Sequence, residues 1–169
     1  MRLELNPDWN EFLRLLLSQR VKFLLVGGHA VAGHGEPRFT EDLDVFVDVS
    51  AENARALREV LVRFGFGEAA PTEAELQELG RIWMIGRKPM RIDILTEIDG
   101  VSFEECWSGR AEAEFSGGVL PLIGREHLLK NKRASGRTKD LADVERLLGG
   151  QQRQRRPSTE KRSKSGTPK

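Results

Sequence analysis

"KFLLVGGHAVAGHGEPRFTEDLDVFVDV", residues 22–49, decides the fold. Its first apolar run is of strand length and stops at the pair Gly27-Gly28. "HAVAGHG" (29–35) has room for a short helix at most, because Gly33, Gly35 and Pro37 end it. "LDVFVDV" (43–49) reads as a second strand, with Leu43, Val45 and Val47 on one face. The acids Asp42 and Asp44 then share the opposite face, two apart at the mouth of an apolar strand. Such crowding of like charge demands a chemical reason.

Outward from that stretch, a helical stripe precedes it. Trp9, Phe12, Leu13, Leu16 and Leu17 fall at helical spacing within residues 8–20, with Pro7 near the start and Arg20 near the end. After it, Ser50 reads as the cap of a helix reaching about Phe64, with Ala54, Leu57, Val60 and Leu61 inward. "PTEAELQEL" (71–79) suggests another short helix. "RIWMIGR" (81–87) and "MRIDILTE" (90–97) read as a hairpin turning at Lys88-Pro89. "FEECW" reads as one helical turn, and "AEAEFS" with "GVLPLI" as a short edge hairpin. Residues 124–148 form two helices divided at Ser135-Gly136. The expected class is α+β: a mixed β-sheet flanked by helices, with terminal helices beyond it.

The chain has 169 residues, enough for one domain of ordinary size. A single cysteine, Cys106, excludes a disulfide framework and a multi-cysteine metal site, and it has no basic neighbour to activate it. No apolar run approaches a membrane span, and "MRLELNPDWNEF" lacks the apolar core of a signal peptide, so a cytoplasmic address and no membrane contact are expected. The overall charge of +1 hides an asymmetry. Residues 151–169 carry seven Lys or Arg against one acid, a net of +6, which leaves residues 1–150 at −5. That tail has no large apolar side chain to offset the entropy of ordering, so the organisation expected is a folded domain over 1–150 and a disordered basic tail over 151–169. The tail could hold RNA electrostatically, or simply solubilise the chain.

The strand at 90–97 repeats the opening pattern: Ile92 and Ile94 point one way, Arg91 and Asp93 the other. Laid beside residues 42–48, it brings Asp93 to Asp42 and Asp44. Three carboxylates that close raise at least one pKa unless a cation joins them, and a hard dication with oxygen ligands, most naturally magnesium, fits. Such an ion also neutralises charge for phosphoryl chemistry. Gly27 and Gly28 let backbone amides approach a phosphate unobstructed, while Arg38 and Thr40 offer a cation and a hydroxyl between that turn and the acids. Arg91 could alternatively pair with Asp93. A dinucleotide fingerprint through Gly28, Ala30 and Gly33 fails, because the helix is too short to cross a sheet and the acids stay unexplained.

The glycine pair, "PRFTEDLDVFVD", the later Asp93 and "NKRASGRTKDLADVE" together resemble the minimal bacterial nucleotidyltransferases of the polymerase-beta-like superfamily, among them AbiEii-like toxins and kanamycin-nucleotidyltransferase-like proteins. The resemblance covers residues 20–148. It implies that Gly27 and Gly28 grip the triphosphate, that Asp42 and Asp44 hold two Mg2+ ions, and that Asp93 binds one metal and serves as base. It implies further that Lys132 and Lys139 face the nucleotide's phosphates. The family's pair is commonly followed by serine, where this chain has His29.

The expected activity is Mg2+-dependent transfer of an NMP from an NTP to a hydroxyl of RNA (a tRNA end), protein or a small molecule. The polar tail favours RNA, and an antitoxin is an expected partner. The alternatives are a non-catalytic nucleotide-binding or antitoxin-type protein of the same fold, and a metal-dependent phosphodiesterase or nuclease. Asp140 reads as an ion-pair partner of Arg137 or Lys139, His34 as a packing or capping residue, His127 as a surface residue, and Trp83 and Trp107 as core.

Overall fold

A computed structural model describes residues 1–155, with side chains described through residue 150. Helix α1 (Pro7–Ser18) opens with Asn6 as its cap, whose side chain accepts from the Trp9 amide, and with Pro7 at the first turn. Trp9, Phe12, Leu13 and Leu16 are buried, which is the stripe the spacing predicted.

Strand β1 (Phe23–Leu25) is shorter than the apolar run, because α2 (Gly27–Gly33) begins at the first glycine itself. Strand β2 (Asp42–Val47) pairs antiparallel with β1. Helix α3 (Ala51–Leu61) is capped by the Ser50 hydroxyl. It ends earlier than expected, giving way at Val62–Phe66 to a wider turn that Gly65, at φ 123, interrupts. The short α4 (Glu73–Leu76) carries a reciprocal Thr72–Glu75 cap.

Strands β3 (Ile82–Ile85) and β4 (Arg91–Leu95) form the expected hairpin, and β4 lies parallel to β2. After α5 (Phe103–Ser108), β5 (Ala111–Phe115) and β6 (Gly118–Leu122) form the second hairpin, and β6 joins β1 in parallel. Six strands in the order β3-β4-β2-β1-β6-β5 make one mixed sheet, so the α+β expectation holds. Helices α6 (Arg125–Ser135) and α7 (Thr138–Arg155) meet at Gly136, which adopts the left-handed conformation that closes α6. The boundary expected at residue 150 falls inside α7, and residues 156–169, the greater part of the expected disordered tail, lie outside the described residues. Among the described residues no helix is long and apolar enough to cross a membrane.

The sheet's two faces differ. Leu43, Val45 and Val47 of β2 and Ile92 and Ile94 of β4 are all at most 2% exposed on one face. The other face is divided along its length. Phe46 packs edge-on against Phe103 of α5, with ring centroids 5.1 Å apart, while the ends of β2 and β4 are left uncovered and open into a cleft. That division turns a buried strand into the floor of a site.

Candidate active site

The register of β2 and β4 sets the floor. Asp42 lies opposite Arg91, Asp44 opposite Asp93, and Phe46 opposite Leu95. Because side chains alternate along a strand, Asp42, Asp44, Arg91 and Asp93 form a two-by-two array on one face. The structure therefore brings the three predicted acids together, and adds a cation in their midst. Arg91 Nε donates to Asp93 Oδ1 at 2.7 Å, and its Nη2 donates to Asp93 Oδ2 at 2.7 Å and to Asp42 Oδ2 at 3.1 Å. A guanidinium gripping one carboxylate with two nitrogens is a strong pair. Lys88 stands 3.8 Å from Asp42, on an exposed stem.

Asp44 is the acid left out. Among the described residues no cation lies within ion-pair distance of it, and burial, then the charges of Asp42 and Asp93, push its carboxyl up from 3.8 to about 6, against weaker pulls from Lys139 and Lys132. Three carboxylates against one guanidinium leave the floor at a formal −2, and the exposed Lys88 offsets little of it in water.

The turn between β1 and β2 builds one wall. Gly27 has φ +65, and a Cβ on it would collide with the Asp44 carboxylate. A Cβ on Gly28 would lie 2.9 Å from the Thr40 Cβ. Both glycines therefore let this wall close onto the acids, apart from any role toward phosphate. The Thr40 hydroxyl donates to Asp42 Oδ1 at 2.9 Å, which fixes that carboxylate, and the Val26 amide donates to the Asp44 carbonyl. His29, in the serine's usual place, is turned away. It packs edge-on against Trp9 at 5.0 Å, its Nε2 has no hydrogen-bond partner among the described residues, and burial lowers its pKa to about 4. It lines a neighbouring cleft beside Trp9 and Phe39, not the acid floor.

Helices α6 and α7 form the opposite wall. Lys132 is 4% exposed, and its ammonium lies 2.8 Å from Asp140 and 2.9 Å from Asp143. Burial would raise the Asp140 carboxyl, but hydrogen bonds from Lys132, Ser135 and Arg137 outweigh it and hold the group at about 2. Arg38 reaches across from the loop before β2 to Asp143, with 3.0 Å between Nε and Oδ1. Lys132 and Arg38 thus line the cleft with charges already engaged by α7 carboxylates, so each would meet a phosphate only in competition with that pairing. Lys139 is exposed at the cleft edge.

Asp140 pairs with Arg137 as read from the sequence, and with Lys132 in addition. The clasp at Asp143 escaped the reading. The signal for it was the i, i+3 spacing of Asp140 and Asp143, which places two acids on one face of α7. His34 caps α2 and meets the Ile123 carbonyl at 2.7 Å. His127 is half-buried rather than on the surface, because Gly109 and Gly124 close around its ring. Trp83 and Trp107 are half-buried, and burial pushes the Cys106 thiol up to about 11.

The whole cleft measures about 710 Å3, large enough for a drug-sized ligand. Residues 11–103 match the family model described as "Nucleotidyl transferase AbiEii toxin, Type IV TA system", which is more than half of the chain. The chain belongs to the AbiEii nucleotidyl transferase family. The matched part holds the glycine pair, Asp42, Asp44 and Asp93, and stops before α6 and α7. No curated protein matches this family member by sequence. Among solved structures it resembles an antigenic nucleotidyltransferase-like protein from Paracoccidioides brasiliensis, at 16% identity over 86% of this chain and 78% of that one, with a TM-score of 0.50. A second likeness is to the lincosamide antibiotic adenylyltransferase LnuA in its lincomycin-bound form, at 17% identity over 85% of this chain and 96% of that one, with a TM-score of 0.49. At such identities a likeness concerns the fold alone.

Proposed function

We propose that this AbiEii family member transfers an NMP from an NTP to a hydroxyl acceptor, with Asp42, Asp44 and Asp93 as the metal-holding and catalytic acids. The observation that carries the reading is Asp44: a carboxylate on the cleft floor, flanked by two others, without a cation of its own among the described residues. An all-oxygen donor set of clustered carboxylates suits a hard dication such as Mg2+, two ions in the fullest form of the reading. Among the described residues no three acid, His or Cys side chains are gathered as a ready-made metal cage, and Arg91 holds Asp93 and Asp42. Bound there, the metal would neutralise charge developing on the transferred phosphoryl group.

The chain's own groups divide the remaining work. Gly27 and Gly28 present backbone free of side chains to the triphosphate. Thr40 holds Asp42 in place. Asp93 accepts the proton of the attacking hydroxyl, and Lys139 at the edge supplies positive charge toward the phosphates. Arg38 and Lys132 act from their pairs with Asp143 and Asp140, shaping the wall that a nucleotide meets. The acceptor hydroxyl belongs to RNA, to a protein side chain or to a small molecule, and the basic tail favours RNA among the three. An antitoxin partner is in keeping with the family.

Calorimetric titration of each NTP, with and without Mg2+, tests this directly. Binding is expected only with Mg2+, and is expected to be lost in Asp44→Ala. An Asp44→Ala protein that binds Mg2+ and NTP as well as the native chain would remove the metal assignment.

A further inference from the structure

The two oxygens that Arg91 Nη2 bridges, Asp42 Oδ2 and Asp93 Oδ2, belong to carboxylates that a dication at the proposed metal site would need. A guanidinium and a dication there draw on the same carboxylate charge, so each weakens the other's hold. We infer that Arg91 is an exchangeable counter-cation: it neutralises Asp93 and Asp42 while no metal is held, and on metal binding turns its guanidinium to the phosphates of the nucleotide. The inference rests on the proposed metal and nucleotide site, and concerns a residue that the reading leaves without a task.

Three features support it. Arg91 is fixed by the strand register opposite Asp42 and two residues from Asp93 on the same face, so it cannot leave the site altogether. Its side chain is 24% exposed and lines the cleft, so it has room to turn while its stem stays anchored. A guanidinium remains charged at every working pH and offers five donors in a planar fork, which match phosphate as well as carboxylate. The same side chain can therefore serve either anion without any change of protonation. Arg91 also carries part of the charge compensation that the clustered acids need when the chain folds without metal.

The test uses the full chain with two ligands, Mn2+ alone and then an NTP with Mn2+ in excess, on the native protein and on Arg91→Gln. Arg110→Gln, which removes a charge outside the cleft lining, controls for net charge. Arg91→Gln is expected to bind Mn2+ about tenfold tighter, because a competitor is gone, and to bind the nucleotide about tenfold weaker, because a phosphate donor is gone. A merely structural role would move both the same way. Unchanged or weaker Mn2+ binding in Arg91→Gln overturns the exchange while leaving a native metal site intact, and so does unchanged nucleotide binding. If neither the native chain nor the variant binds Mn2+, the proposed function falls with it. A second measurement needs no variant: the Arg91 Nε–H resonance is expected to shift when Mg2+ saturates the native protein, and a resonance that does not move also overturns the exchange.

Discussion

Two titratable residues near the site, half-buried Asp44 and buried His29, pull stability in opposite directions. The Asp44 carboxyl holds its proton more tightly in the folded chain, about 6 against 3.8, so the stability it contributes is full below 3.8 and is lost as pH rises through about 6. His29 behaves in reverse. Its folded pKa of about 4 lies below 6.5, so its contribution is full above 6.5 and is lost as pH falls through about 4. Each difference is worth about 3 kcal/mol, and the windows overlap. Native stability is therefore expected to vary little between pH 4 and 6.5 on account of this pair. Asp44→Asn removes one slope and is expected to gain stability as pH rises, whereas His29→Gln is expected to lose it, with thermal melts across that range as the check. At pH 7 Asp44→Asn is expected to be about 1–3 kcal/mol more stable than the native chain, a rise in Tm of roughly 3–10 °C, while losing activity. A lower Tm for Asp44→Asn would contradict the account of an acid without a counter-cation.

Among the elements, the turn from β1 into α2 and the clasp between α6 and α7 carry the site. Gly27→Ala meets both a left-handed backbone and the Asp44 carboxylate, and is expected to cost about 2 kcal/mol or more in denaturant unfolding. Gly136→Ala, at φ +65 with its nearest contact 3.9 Å away, meets only the backbone penalty, about 1 kcal/mol. Lys132→Met leaves Asp140 and Asp143 buried without their shared ammonium, and is expected to cost about 3–5 kcal/mol by the same measurement. A small loss there would mean that Arg38 and Arg137 suffice for those acids.

The strands and the acid face were legible in the sequence because alternation fixes direction: Asp42, Asp44, Arg91 and Asp93 could each be assigned to a face from parity alone. The registry of β2 against β4, which sets Asp44 opposite Asp93, was not, because nothing within one strand states its neighbour's alignment. For the same reason Arg91 could be read as a partner of Asp93 but not as a bridge to Asp42. The Arg38–Asp143 pair joins residues 105 positions apart and depends on how α7 folds back, so it left no local trace.

At the scale of the whole molecule, a mixed sheet carries two acids on β2 and one on β4, walled by a glycine turn on one side and by two C-terminal helices on the other. Those helices lie beyond the part that matches the family, yet they supply Lys132, Lys139 and Asp143 to the cleft and its support. The account's central claim is that this floor moves the α-phosphoryl group of an NTP. It is tested most directly by incubating the full chain with Mg2+, total RNA and protein acceptors, and NTPs labelled at either the α or the γ phosphate, beside Asp93→Ala. The expected result is label on an acceptor from the α position only, with γ label leaving as pyrophosphate and no transfer by Asp93→Ala. Transfer of the γ label, equal transfer by Asp93→Ala, or RNA cleavage in place of transfer would contradict it.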